Sequence, residues 1–158
     1  MIRQAVVLNG GQGKRLRPYT DDQPKGMVEV GGKSIFAWQL AWLVHHGVRN
    51  IIVSAGYRAE IFEAAAAALT HEYPGVQLEI VTEATPLGRG GGLKFAAKHL
   101  PFGEPWFALN GDVITDLNLR AMASAHAAAG VLGTIALARY RLRHTRRKVA
   151  GSVTRREA

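Results

Sequence analysis

Cysteine is absent from this 158-residue chain. That excludes disulfides and thiolate metal sites. No segment reaches the roughly 18 apolar residues that a membrane span requires, so no membrane partner is expected. The chain enters an apolar strand almost at once, without the layout of a secretory leader. A cytoplasmic location is the default expectation. The six histidines show no metal spacing. His45 and His46 are adjacent and so point to different faces of a helix. No Ser/His/Asp arrangement suggests a nucleophilic triad. Acidic residues are scarce, 12 against 20 Lys and Arg, for a net charge of +8. The imbalance is local. Residues 139–158 hold eight of the Lys and Arg and one Glu, a charge of +7 that leaves only +1 on the first 138 residues. The high isoelectric point therefore belongs to the tail. That tail has no aromatic interleaving beyond Tyr140 and no recognisable binding module, so nucleic acid is not the expected partner.

What is present suffices for one compact domain with a real core. Strands are expected at residues 3–9, 50–54, 76–81, 106–109 and 134–138. Helices are expected from Ser34, as a cap, to about His46, from Ala59 to Leu69, from Leu93 to Leu100 and from Leu117 to Ala129. Ile35, Trp38, Trp42 and Leu43 supply the apolar side of the first helix, and Gly47 ends it. A short extended piece at residues 27–30 precedes the Gly31-Gly32 turn. The Ala64–Ala68 run is helix packing. Asp116 reads as the cap of the helix after it. Strands alternating with helices predict an α/β, Rossmann-like open sheet, mostly parallel, with helices on both faces. Ligands of such sheets sit in the crevice at the carboxyl ends of the strands.

The chemistry is concentrated in Val7-Leu8-Asn9-Gly10-Gly11-Gln12-Gly13-Lys14-Arg15-Leu16-Arg17-Pro18-Tyr19-Thr20, with Pro24-Lys25-Gly26-Met27 close behind. Glycines let backbone N–H groups point inward and approach a ligand closely. N–H donors plus fixed cations suit a polyphosphate. Two familiar glycine motifs fail. A P-loop needs Ser or Thr after Gly13-Lys14 and a glycine where Leu8 stands. A dinucleotide loop needs a glycine where Leu16 stands.

The string Leu8 to Leu16, then Pro18, Thr20 and Pro24-Lys25, resembles the signature of the sugar-1-phosphate nucleotidyltransferases, or NDP-sugar pyrophosphorylases. The departures are Asn9 for the usual alanine, Lys14 for Thr or Ser, and Gly26 for Pro or Ala. Two further segments resemble the family in the expected order. Glu83-Ala84-Thr85-Pro86-Leu87-Gly88-Arg89-Gly90-Gly91-Gly92 is similar to its base-recognition loop, with Arg89 where Thr is common. Leu109-Asn110-Gly111-Asp112 is similar to its Gly-Asp metal segment.

The resemblance implies a truncated nucleotidyltransferase fold that joins an NTP and a sugar-1-phosphate into an NDP-sugar and pyrophosphate. It implies nucleotide binding by Leu8, Asn9, Gly10, Gly11, Gly13, Lys14, Arg15, Glu83, Pro86 and Gly88. It implies catalytic roles for Arg15, Lys25 and Asp112, with Mg²⁺ on Asp112. An ionised Glu83 only accepts hydrogen bonds, and guanine offers two adjacent donors on its Watson–Crick edge. This tilts the expectation toward GTP, and the resemblance extends to members of a mannose- or heptose-1-phosphate guanylyltransferase type.

The family domain normally continues for about another hundred residues. Here the apolar run Ile135 to Ala138 gives way to a basic stretch with no apolar period. The expectation is a nucleotide-binding domain over residues 1–138 and a disordered basic tail over 139–158, from truncation or a frameshift. A missing half would expose apolar surface that can drive association of copies. The alternative reading is a Mg-dependent nucleotide-binding module without turnover.

Overall fold

A computed structural model describes residues 1–137 of the chain. The tail at 139–158 and Ala138 lie outside the described residues. Among the described residues four parallel strands form the central sheet: β1 (Gln4–Asn9), β4 (Asn50–Ala55), β5 (Gln77–Thr82) and β6 (Phe107–Asn110), in the order β5-β4-β1-β6. Two-residue strands β2 (Glu29–Val30) and β3 (Lys33–Ser34) make a small antiparallel hairpin outside it. The helices are α1 (Ile35–His45), α2 (Ala59–His71), α3 (Gly88–Ala96) and α4 (Leu119–Ala129). No helix among the described residues is long and apolar enough to cross a membrane.

The central strands carry the apolar runs Ala5–Leu8 and Ile51–Val53 because both faces are covered. Ala5, Val6, Val7, Ile51, Ile52 and Val53 are all sealed from solvent. Odd-numbered side chains of β1 and β4 enter the larger core with Phe36, Leu40 and Leu43 of α1, Phe62 of α2 and Leu119 of α4. Val6 and Ile52 face the other way, onto Val81, onto Ala96 at the end of α3 and onto Leu100 beyond it. Helices thus cover both faces, unequally. The rings of Phe36 and Phe62 meet edge to face with centroids 5.4 Å apart, the favoured aromatic geometry.

Several local expectations are corrected. The buried side of α1 is Ile35, Phe36, Gln39, Leu40 and Leu43, whereas Trp38 is 40% exposed. The helix is apolar nearly all round, so its period does not select a face. Trp38 instead donates to the Val30 carbonyl (2.8 Å), and Trp42, half-buried, to the Leu117 carbonyl (3.1 Å). Asn118, not Asp116, caps α4. Its Oδ1 accepts from the Ala121 amide (3.0 Å), three residues on, where a cap must reach. α3 begins at Gly88 rather than Leu93. Residues 134–137 form no strand. Among the described residues β6 pairs with β1 alone, and Thr134 Oγ1 instead meets the His126 ring (2.9 Å).

Candidate functional site

The carboxyl ends of β1, β5 and β6 open onto one cleft of about 540 Å³. β1 ends at Asn9, and the chain breaks into the glycine loop. Gly13 sits at φ +62°, a conformation that costs an L side chain about 1–2 kcal/mol. Its carbonyl accepts from the Leu16 amide (2.8 Å) and from Thr20 Oγ1 (3.0 Å), and Thr20 is fully buried. The resulting tight turn at Lys14–Leu16 sets the exposed Lys14 and Arg15 along the cleft. Arg17 pairs with Asp21 (3.2 Å) and is not among the cleft's lining residues.

β4 secures the loop from beside it. Gly56 packs so closely that a Cβ there would lie 2.9 Å from the Gly10 carbonyl oxygen. Tyr57 donates through its amide to that carbonyl (3.4 Å) and through its hydroxyl to the Asp21 carbonyl (2.6 Å). Neither residue stands out in the sequence, because their partners lie more than 30 positions away.

Lys25 follows Pro24 in a second tight turn, Lys25–Met27. Asp112 follows the end of β6, where the Gly111 amide donates to the Leu8 carbonyl (2.8 Å). The Lys25 ammonium and the Asp112 carboxylate form an ion pair across the cleft. The segment bearing Asp112 is pinned by the buried Gln39, whose Nε2 donates to the carbonyls of Asn110 (2.9 Å) and Val113 (2.8 Å). Gln39 is not singled out by the sequence motifs. A polar residue amid the apolar stretch of α1 is the hint that could have found it.

Glu83 follows β5. One carboxylate oxygen accepts from Ser54 Oγ (2.6 Å) and the other from the Leu87 amide (3.1 Å). The carboxylate thereby holds the turn into α3. Close packing fixes the arrangement, since a Cβ on Gly92 would lie 2.6 Å from Glu83 Oε1.

The cleft brings together Leu8, Asn9, Gly10, Gly11, Gly13, Lys14, Arg15, Lys25, Glu83, Pro86, Gly88 and Asp112, all singled out from sequence. It adds Arg89, which forms no hydrogen bond or ion pair among the described residues. Four cations, Lys14, Arg15, Lys25 and Arg89, thus face two carboxylates, Glu83 and Asp112. That balance, with a glycine loop between, suits a multiply charged anion. Among the described residues no group of three or more His, Cys, Asp or Glu could hold a metal by itself.

The model of the nucleotidyl transferase family matches residues 4–147, a span that continues past residue 138. The mannose-1-phosphate guanyltransferase of Candida albicans is 38% identical over 133 residues, covering 84% of this chain and 36% of the relative. The chain therefore spans little more than a third of that relative's length. HddC from Yersinia pseudotuberculosis, solved with GMP-PN, is 30% identical with a TM-score of 0.64, covering 79% of this chain and 54% of that one. The UTP-bound UGPase from Acinetobacter baumannii, 22% identical with a TM-score of 0.66, shares the fold over 82% of this chain and 54% of its own. From strand order to glycine loop, and over most of its length, the chain belongs to the nucleotidyl transferase family.

Proposed function

We propose that the cleft binds a nucleoside triphosphate, and that the reaction it serves joins the nucleotide to a sugar-1-phosphate. A phosphate oxygen of the sugar-1-phosphate attacks the α-phosphorus in line. The bond to the β-phosphate breaks, and an NDP-sugar and pyrophosphate result. No protein nucleophile is required, because positioning and charge neutralisation supply the catalysis. The observation that carries this reading is the convergence of Arg15, Lys25 and Asp112, from three separate segments, on one cleft at the strand ends.

In this reading Lys14 and the loop amides cradle the phosphates, and Arg15 holds the departing pyrophosphate. Lys25 lies between the α-phosphate and the incoming sugar phosphate. Lys25 and Asp112 neutralise one another. Arrival of the phosphates offers the ammonium a second anionic partner and frees the carboxylate. Magnesium takes one or two carboxylates and completes its shell with phosphate oxygens and water, so a lone Asp112 fits it only alongside a triphosphate. When bound there, the ion neutralises charge on the phosphates.

GTP is the proposed nucleotide. Each Glu83 oxygen accepts one protein hydrogen bond, and a carboxylate has about four acceptor sites. Two sites remain for the adjacent donors of guanine. The relatives, mannose-1-phosphate guanyltransferases and an HddC solved with GMP-PN, support a guanine nucleotide, and the guanyltransferases support mannose-1-phosphate. The nucleotide-binding domain is assigned to residues 1–138, with 139–158 as an appendage.

The test is pyrophosphate release from GTP and mannose-1-phosphate with Mg²⁺. The reading expects release by the chain, and a loss of about 10²-fold or more in the Lys25→Ala variant with little change in its melting temperature. Equal activity of Lys25→Ala would refute the role of Lys25. Because the chain spans 36% of its relatives' length, a second reading is binding without turnover. Tight Mg-GTP binding with no pyrophosphate would select it. Absence of both binding and release would overturn the proposal.

A further inference from the structure

Asn9 stands where β1 runs into the glycine loop, and it is only 6% exposed. Its side-chain amide is seated between two glycines. A Cβ on Gly26 would lie 2.6 Å from Asn9 Oδ1, and 3.0 Å from Cζ of Phe62. A Cβ on Gly111 would fall on the amide itself. Gly26 follows Lys25, and Gly111 precedes Asp112. The amide therefore lies between the two backbones that the Lys25–Asp112 ion pair ties together. Asn9 and Gly26 are both departures from the family's signature, and the fold places them in contact.

The Nδ2 of Asn9 is buried and has no hydrogen-bond partner among the described residues. An unpaired buried donor costs about 1–3 kcal/mol, so native proteins rarely leave one without a reason. Packing alone does not supply that reason, since an apolar side chain of similar size would fill the seat without the cost. Asn9 lines the cleft. The ligand proposed for that cleft offers anionic oxygens that only accept hydrogen bonds.

Resting on that reading of the cleft, we propose that Asn9 is a phosphate-binding residue whose Nδ2 donates to an oxygen of the nucleotide's phosphate chain. The donor is covered by the close packing of Gly26 and Gly111, which neighbour Lys25 and Asp112. It becomes available when the phosphates draw the Lys25–Asp112 pair apart. The donor is neutral, so it adds direction to the site without adding charge.

The experiment separates the donor from the packing. The Kd for Mg-GTP and the melting temperature are measured for the wild type, Asn9→Ala and the double variant Asn9→Ala/Gly26→Ala. Asn9→Ala is expected to weaken Mg-GTP binding by about tenfold, the size of one charge-assisted hydrogen bond. The double variant refills the seat with a methyl group. It is expected to recover melting temperature while binding stays as weak as in Asn9→Ala. Binding within twofold of wild type in a folded Asn9→Ala, or recovery of binding in the double variant, overturns the inference and leaves the nucleotide reading standing. If Asn9→Ala alone does not fold, the double variant decides by the same criterion. A wild type that binds no nucleotide overturns both.

Discussion

Two glycine-rich stretches border the cleft, and the chain uses them differently. Gly10, Gly11 and Gly13 stay in a loop, where Gly13 at φ +62° makes the turn that presents Lys14 and Arg15. Gly90, Gly91 and Gly92 lie inside α3 despite the poor helix propensity of glycine. There the requirement is space. Gly92 passes under Glu83, and Gly91 passes within 2.8 Å of Leu87 Cβ, measured from an added methyl. One stretch supplies backbone conformation to the proposed phosphate site, and the other lets a helix lie close to a carboxylate. The residue type alone does not tell them apart.

Substitutions with alanine sharpen the contrast. The largest effect is expected at Gly92, where a methyl group would meet Glu83 Oε1 at 2.6 Å, Leu8 Cδ2 at 3.2 Å and Ser54 Oγ at 3.4 Å. Overpacking there should cost about 1–3 kcal/mol in denaturant unfolding and should weaken GTP binding, because Glu83 must move. Gly13→Ala should cost about 1–2 kcal/mol through backbone conformation, with Thr20 Cγ2 already 3.0 Å from the new methyl. Gly90→Ala should act in the opposite direction. Nothing among the described residues lies within 4 Å of its Cβ position, so the helix gains up to about 1 kcal/mol. Loss of stability at Gly90 would break the comparison.

The smallest effect expected is remote from both stretches. His46 ends α1, and its pKa is lowered from 6.5, first by burial and then by the neighbouring charges of His45 and Arg120. The unfolded chain therefore binds more protons than the folded one just below pH 6.5. Stability should decline as the pH falls through that range, since it rises with pH wherever the unfolded state holds the extra proton. Unfolding midpoints at pH 7.5, 6.5 and 5.5 check the slope, and His46→Gln should flatten it.

The contrast also explains what could be read from sequence. The parallel strands were legible because β1 and β4 are buried on both faces and so appear as unbroken apolar runs. The cleft residues were legible because the loop, Glu83 and Asp112 each follow a strand directly. The start of α3 was not, because five residues with four glycines argue against helix until the contacts of Gly92 with Ser54, Leu8 and Glu83 are known. Gln39, Tyr57 and Ser54 were silent for the same reason, as each acts on a partner at least 29 positions away. The strand expected at 134–138 rested on Ile135 and Leu137, which are 83% and 89% exposed. An apolar run makes a strand only where a neighbour is present to pair with it.

Thermal unfolding of the chain with GTP, dTTP, UTP, CTP and ATP in turn, with and without Mg²⁺, tests the central claim most directly. The account predicts a cooperative transition raised most by Mg-GTP, by about 2.7 kcal/mol of stabilisation at a hundred times the dissociation constant. A cooperative transition that no nucleotide moves would contradict it.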